Sequence, residues 1–93
     1  MVLADISVDR LSSILKALGH PARMEMVRIM AEAGDATCVD LVQHFSLKQP
    51  TVSEHLRVLR EAGLIQQCAP GQRSGYCLNR DAITWLKQCI VTL

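Results

Sequence analysis

Aromatic side chains are scarce in this chain of 93 residues: Phe45, Tyr76 and Trp85 are all it has, so its core must be aliphatic with methionine filling irregular gaps. No apolar run approaches the roughly 18 residues of a membrane-spanning helix, and no membrane partner is expected. Met1 to Arg10 contains Asp5 and Asp9 and lacks the basic start, apolar stretch and cleavage site of a secretory leader. A cytoplasmic location is the expectation, and there the four cysteines are thiols rather than structural disulfides. With no CxxC pair, identifiable base or phosphate-binding loop, a thiol enzyme has nothing to build on, so no enzymatic activity is expected. Repeats, low-complexity tracts and linkers are also missing, and the length allows one domain spanning 1–93.

Net charge is small too, at +1, but it is unevenly spread. Residues 1–47 carry four Lys/Arg against six Asp/Glu, while residues 48–73 carry four against two. The basic surplus therefore sits in one stretch, a modest electrostatic footprint of nucleic-acid binding. What the chain has in excess is apolar residues, 49% of the total, more than one small core needs, which points to burial against another chain.

The basic stretch opens with Lys48 to Gly63, KQPTVSEHLRVLREAG. At 3.6 residues per turn, Val52, Leu56 and Leu59 form one stripe, and Ser53, Glu54, Arg57, Arg60 and Glu61 spread over the other side. Pro50 suits the first helical turn and Gly63 suits the residue just past the last. Upstream, Cys38 to Phe45 reads as a short helix, separated from this one by a link of turn length. Helix, tight turn and helix with a polar outer face is the arrangement that places a recognition helix in the DNA major groove. Earlier still, Val8, Leu11, Leu15 and Leu18 predict a helix from Val8 to Leu18 ended by Gly19. Pro21 opens a second helix with Met24, Val27 and Met30 inward, closed by Ala33-Gly34-Asp35. Downstream, Leu64–Cys68 and Tyr76–Asn79 flank Pro70, Gly71 and Gly75 as a hairpin. Asn79 or Asp81 caps a last helix from Ala82 to about Thr92, with Ile83, Leu86, Ile90 and Leu93 along a packing seam that the remaining chain is too short to cover.

The run PTVSEHLRVLREAGLI, preceded by LVQHFSLKQ, followed by the PGQRSG turn and led by LKALGHPARMEMVRIM, resembles the core of the ArsR/SmtB family of bacterial repressors. The resemblance covers about Leu11 to Leu78. It implies a mainly α fold with a β-hairpin wing, a dimeric winged helix-turn-helix. It also implies first and last helices paired across a two-fold axis, and a regulator that represses by occupying double-stranded DNA. A homodimer would meet an imperfect palindrome with half-sites about one helical turn apart.

Lys48, Gln49, Thr51, Ser53, Arg57 and Arg60 are the donors expected to face DNA. The cations neutralise phosphates, the helix start near Gln49 offers amides, and Gln49 or Ser53 reaches base edges. The resemblance supports Gln49, Ser53 and His55 and sets the wing tip, Gln72 and Arg73, against the DNA backbone or minor groove. Glu54 and Glu61 would oppose phosphates if they faced them, so each must contact a cytosine amino group, pair with arginine or point away, the last being the favoured expectation for Glu61. A winged-helix module that binds protein and not DNA is the rival reading.

Family members that sense arsenic place two cysteines one residue apart before an Asp-Leu pair; anchored on Asp40-Leu41, those places hold Thr37 and Val39 with Cys38 between. The zinc-sensing Asp and His ligands have no counterpart in Ala82 to Leu93. No metal site or cofactor is expected on these patterns. Cys38, Cys68, Cys77 and Cys89 stand as candidate sensors of a thiol oxidant or thiophilic metal, or as inert small hydrophobes. A two-residue turn at Pro70-Gly71 would set Cys68 opposite Arg73. A four-residue loop over Gly71–Ser74, the favoured register, would set Cys68 opposite Cys77 at about 4.5–5.5 Å between Cα atoms, within disulfide reach.

Overall fold

Ser7 turns its hydroxyl back to accept from the Arg10 amide at 3.2 Å, and from that cap helix α1 runs over Val8–Leu18 with Leu11, Ile14 and Ala17 buried. These are the bounds the spacing predicts. The computed structural model describes residues 7–33, 39–40, 49–67 and 75–93. Helix α2, Pro21–Ala33, has Pro at its first position, where a missing amide hydrogen is harmless, and His20 as its cap. Its inward residues are Met26, Val27 and Met30. Met24, expected inward, is exposed: it lies about 200° of helical turn from Met26, and only one of the two can join the arc that Val27 and Met30 share.

Strand β1, Val39–Asp40, is a second correction, because a helix was expected to cover these positions. Residues 38 and 41–45 of that expected helix lie outside the described residues. β1 pairs antiparallel with β3, Gly75–Leu78, through Val39↔Tyr76 and Asp40↔Gly75. A free edge on β3 recruits a β-branched residue that, read locally, could belong to a short helix.

Helix α3, Gln49–Glu61, buries Val52, Leu56 and Leu59. It ends in a Schellman motif. Gly63 has φ 79°, its amide donates to the Arg60 carbonyl at 3.0 Å, and the Leu64 amide donates to the Leu59 carbonyl at 3.0 Å. Leu59 and Leu64, the apolar pair that accompanies such a cap, are both fully buried. The chain then enters β2, Ile65–Gln67, and β3 returns beside it in the sheet order β1-β3-β2.

The hairpin register is Ile65↔Leu78, Gln66↔Cys77, Gln67↔Tyr76. Cys77 thus faces Gln66, and neither expected register holds. Pairing Cys68 with Cys77 would slide the strand two residues and set Ile65 against Arg80, which is already the first residue of the next helix. Burial of Ile65 with Leu78 fixes the register instead.

Asn79 ties the two ends of this unit together. Its amide donates to the Leu64 carbonyl at 2.8 Å and its Nδ2 to the Gly63 carbonyl at 2.9 Å, while its Oδ1 caps α4, Arg80–Thr92, by accepting from the Ala82 amide. On α4, Ala82 and Cys89 are buried, and Ile83, Trp85 and Leu86 pack against the common core. Half of the expected seam is therefore covered within the chain, and Ile90, Val91 and Leu93 are left exposed. Among the described residues, no helix is long and apolar enough to cross a membrane.

Candidate nucleic-acid interface

With Val52, Leu56 and Leu59 turned into the core, α3 presents Thr51, Ser53, Glu54, Arg57, Arg60 and Glu61 outward, all exposed. Gln49 starts the helix; Lys48, Gln72 and Arg73 lie outside the described residues. Ser53 and Arg57 thus lie on the outer side of one helix, with Thr51 and Arg60 at the opposite edges of its exposed arc.

Arg57 is not a free cation. Its Nε donates to Glu54 Oε2 at 2.9 Å, a second guanidinium nitrogen donates to Glu54 Oε1, and the third donates to Glu61 Oε2. The fork on Glu54 is bidentate, the geometry in which guanidinium and carboxylate match best. Hydrogen bonding to Arg57 holds the Glu54 carboxyl below the usual range, and both carboxylates push the guanidinium further up. Of the three alternatives for these carboxylates, both take pairing with arginine: Glu61, favoured to point away, closes the other side of the clip.

His55 differs from its neighbours, being only 9% exposed. Its ring lies 4.5 Å from that of His20, centroid to centroid, at 50°. Arg23 NH1 donates to His55 Nδ1 at 3.3 Å; since guanidinium cannot accept, Nδ1 must carry the lone pair. The rest of Arg23 caps the end of α1, with Nε donating to the Ala17 carbonyl at 2.6 Å and NH2 to the Lys16 carbonyl at 3.5 Å. Burial lowers the His55 pKa from its ordinary value of 6.5, and the His20 ring and Arg23 guanidinium push the same way. The imidazole is thus a neutral strut between α3, the α1–α2 turn and the end of α1. Sequence reasoning missed Arg23 and His20 in this role, because nothing in HPAR announces a partner 32 residues on; the one readable signal was a histidine on the buried stripe side of α3.

Of the candidate thiols, Cys77 on β3 is half-buried and free, Cys89 on α4 is free and fully buried, and Cys38 and Cys68 lie outside the described residues. His20 accepts from the Ala22 amide at 3.1 Å through Nδ1, which makes it a helix cap.

Set beside known proteins, residues 20–67 match the family model described as bacterial regulatory protein, arsR family. The chain is similar to the transcriptional repressor SdpR of Bacillus subtilis, 31% identical over 80 residues that cover 82% of this chain and 88% of that one. It is also similar to the arsenical resistance operon repressor of Staphylococcus xylosus, 32% identical over 83 residues, covering 89% and 79%. The crystal structure of an ArsR family transcriptional regulator superposes with a TM-score of 0.77 over 94% of this chain and 89% of that one, at 17% identity, a likeness of fold.

Proposed function

The chain belongs to the ArsR family of bacterial regulatory proteins, and from that premise we propose that it is a transcriptional repressor that binds an imperfect palindrome in double-stranded DNA as a homodimer. The observation that carries this reading is α3 itself: one side sealed into the core, the other offering Thr51, Ser53, Arg57 and Arg60, and a β-hairpin base hydrogen-bonded directly after it. Backbone neutralisation falls first to Arg60, since Arg57 is held by Glu54 and Glu61, with Lys48 and Arg73 as further cations on either side in sequence. Gln49, Thr51 and Ser53 lie in the half of the helix that reaches base edges in this class of protein. His55, assigned to DNA by resemblance, supports the interface from behind.

Dimerisation is supported by large apolar side chains exposed at both terminal helices, Val8 and Leu15 on α1 and Ile90 and Val91 on α4 with Leu93 just past its end. The two helices already touch within the chain, where the Arg10 guanidinium sits 4.1 Å above the Trp85 ring. Release of DNA by a thiol oxidant or thiophilic metal would act through Cys38, Cys68 or Cys77, since Cys89 has no exposed surface.

The test is fluorescence anisotropy on DNA from the protein's own promoter, across a salt series, with and without oxidant, arsenite or zinc. Affinity is expected to fall linearly in log–log form with salt and to be weakened by Arg60→Ala with a shallower slope. Salt-insensitive or absent DNA binding beside a tight protein partner would sink the proposal in favour of a protein-interaction module.

A further inference from the structure

Two carboxylates on the outer side of α3 are at odds with a surface meant for phosphates. Glu61 closes the helix at its last residue and is matched by Arg57. Glu54 is different, because it stands in the first half of the helix beside Ser53 and one turn from Thr51 and Val58, in the portion that faces base edges. We propose that Glu54 is a base-reading residue, oriented by Arg57, whose carboxylate accepts a hydrogen bond from the exocyclic amino group of a cytosine or an adenine in the major groove. This rests on the DNA-binding reading above and adds to it a specificity determinant.

The geometry supplies the argument. Arg57 grips both oxygens of Glu54 at once, through Nε and NH2, and so fixes the plane of the carboxylate on the outer surface. Each carboxylate oxygen has two acceptor sites, and a bidentate guanidinium uses one on each. The remaining sites point away from Arg57. An ionised carboxylate only accepts; in the major groove the donors are cytosine N4 and adenine N6, whereas guanine O6 and N7 and thymine O4 present lone pairs that repel it. Held this way, Glu54 selects an amino-bearing base and rejects a carbonyl-bearing one. Ordering the side chain before DNA arrives also removes part of the entropic cost of the contact.

The simpler role, an exposed i,i+3 ion pair supporting the helix, contributes little to stability and makes no statement about sequence. The two roles separate experimentally. Duplexes would be selected from a randomised library with wild-type protein, Glu54→Gln and Glu54→Ala, and affinities then measured by anisotropy on the wild-type winner and each of its single-base-pair substitutions. Circular dichroism would check that all three proteins keep the same helicity.

The expected result is a symmetric pair of cytosine or adenine positions at which substitution weakens wild-type binding on the order of 10- to 100-fold. In Glu54→Ala the same substitutions should cost under about threefold, while other positions keep their preferences. Arg57→Ala, which leaves Glu54 without its guide, should blur the same two positions as well as bind more weakly overall. If Glu54→Ala and Glu54→Gln keep every wild-type base preference and merely bind all duplexes more tightly, Glu54 is only a partner of Arg57 and the inference is overturned. If the wild-type protein enriches no sequence and shows no salt-dependent binding, the DNA-binding reading fails first and takes this one with it.

Discussion

His55 and Arg57 sit two residues apart on α3 and answer to opposite constraints. For His55, burial and two cationic or titratable neighbours disfavour the charged ring, so its folded pKa lies below the unfolded 6.5. The sign follows: above pH 6.5 the ring is neutral in both states and its stabilisation is fully present, and as pH falls from there the unfolded chain takes up the proton first. The expected outcome is a thermal midpoint that drops as pH is lowered from about 6.5 toward the folded pKa, with a flatter profile in His55→Gln, followed by circular dichroism between pH 5 and 8. For Arg57, the clip with Glu54 and Glu61 is solvent-exposed, so Arg57→Ala should leave the thermal midpoint almost unchanged. Its DNA affinity should nonetheless fall clearly, because Glu54 loses its guide and the outer side of the helix gains two unpaired negative charges; anisotropy and thermal melts on the same preparation check both halves. The polar and apolar sides of α3 were legible in the 3.6-residue period, and the Arg57 pairs lie at the local i,i+3 and i,i+4 spacings, but the inward partners of His55 are Arg23 and His20, which only the folded packing of α1 and α2 brings near.

Helix bounds were legible where the termination chemistry is local. Gly19, Pro21 and Gly63 announce their roles within a few residues, and α1 has the span its spacing predicts. Strand pairing was less legible, since β1 exists only because β3 offers an edge 35 or more residues away, and the hairpin register follows from burying Ile65 with Leu78 rather than from any turn motif. At this scale two substitutions are informative. Gly63→Ala meets no atom within 4 Å, so its cost is purely that of a side chain at φ 79°, about 1–2 kcal/mol, read as a midpoint lower by several degrees. Asn79→Ala removes the α4 cap and the bond to Gly63 together and should cost at least as much. Asn79→Asp keeps the cap but loses the Nδ2 donor, and should fall between Asn79→Ala and wild type.

Across the whole molecule, the apolar excess visible in composition is accounted for only in part by the core, which is aliphatic and methionine-rich as the shortage of aromatics required. Among the described residues, most of the large apolar side chains left exposed are on α1 and on α4 with its C-cap, Val91 being 85% and Leu93 82% exposed. Sedimentation equilibrium is expected to give twice the 10.3 kDa chain mass. Val91→Glu should shift that toward a single chain with its helix content intact, and DNA affinity should drop with it; an unchanged dimer mass would remove Val91 from the interface. The junction at Gly63, Leu64 and Asn79 then takes on a mechanical meaning. It joins the end of the DNA-facing helix to the start of the seam helix through two hydrogen bonds from Asn79 and a buried leucine. In the proposed homodimer the two α3 helices are therefore the jaws of a caliper whose opening is set at the α4 pivot: a few degrees of tilt at the seam changes the gap between the jaws, and with it the half-site spacing the protein can grip.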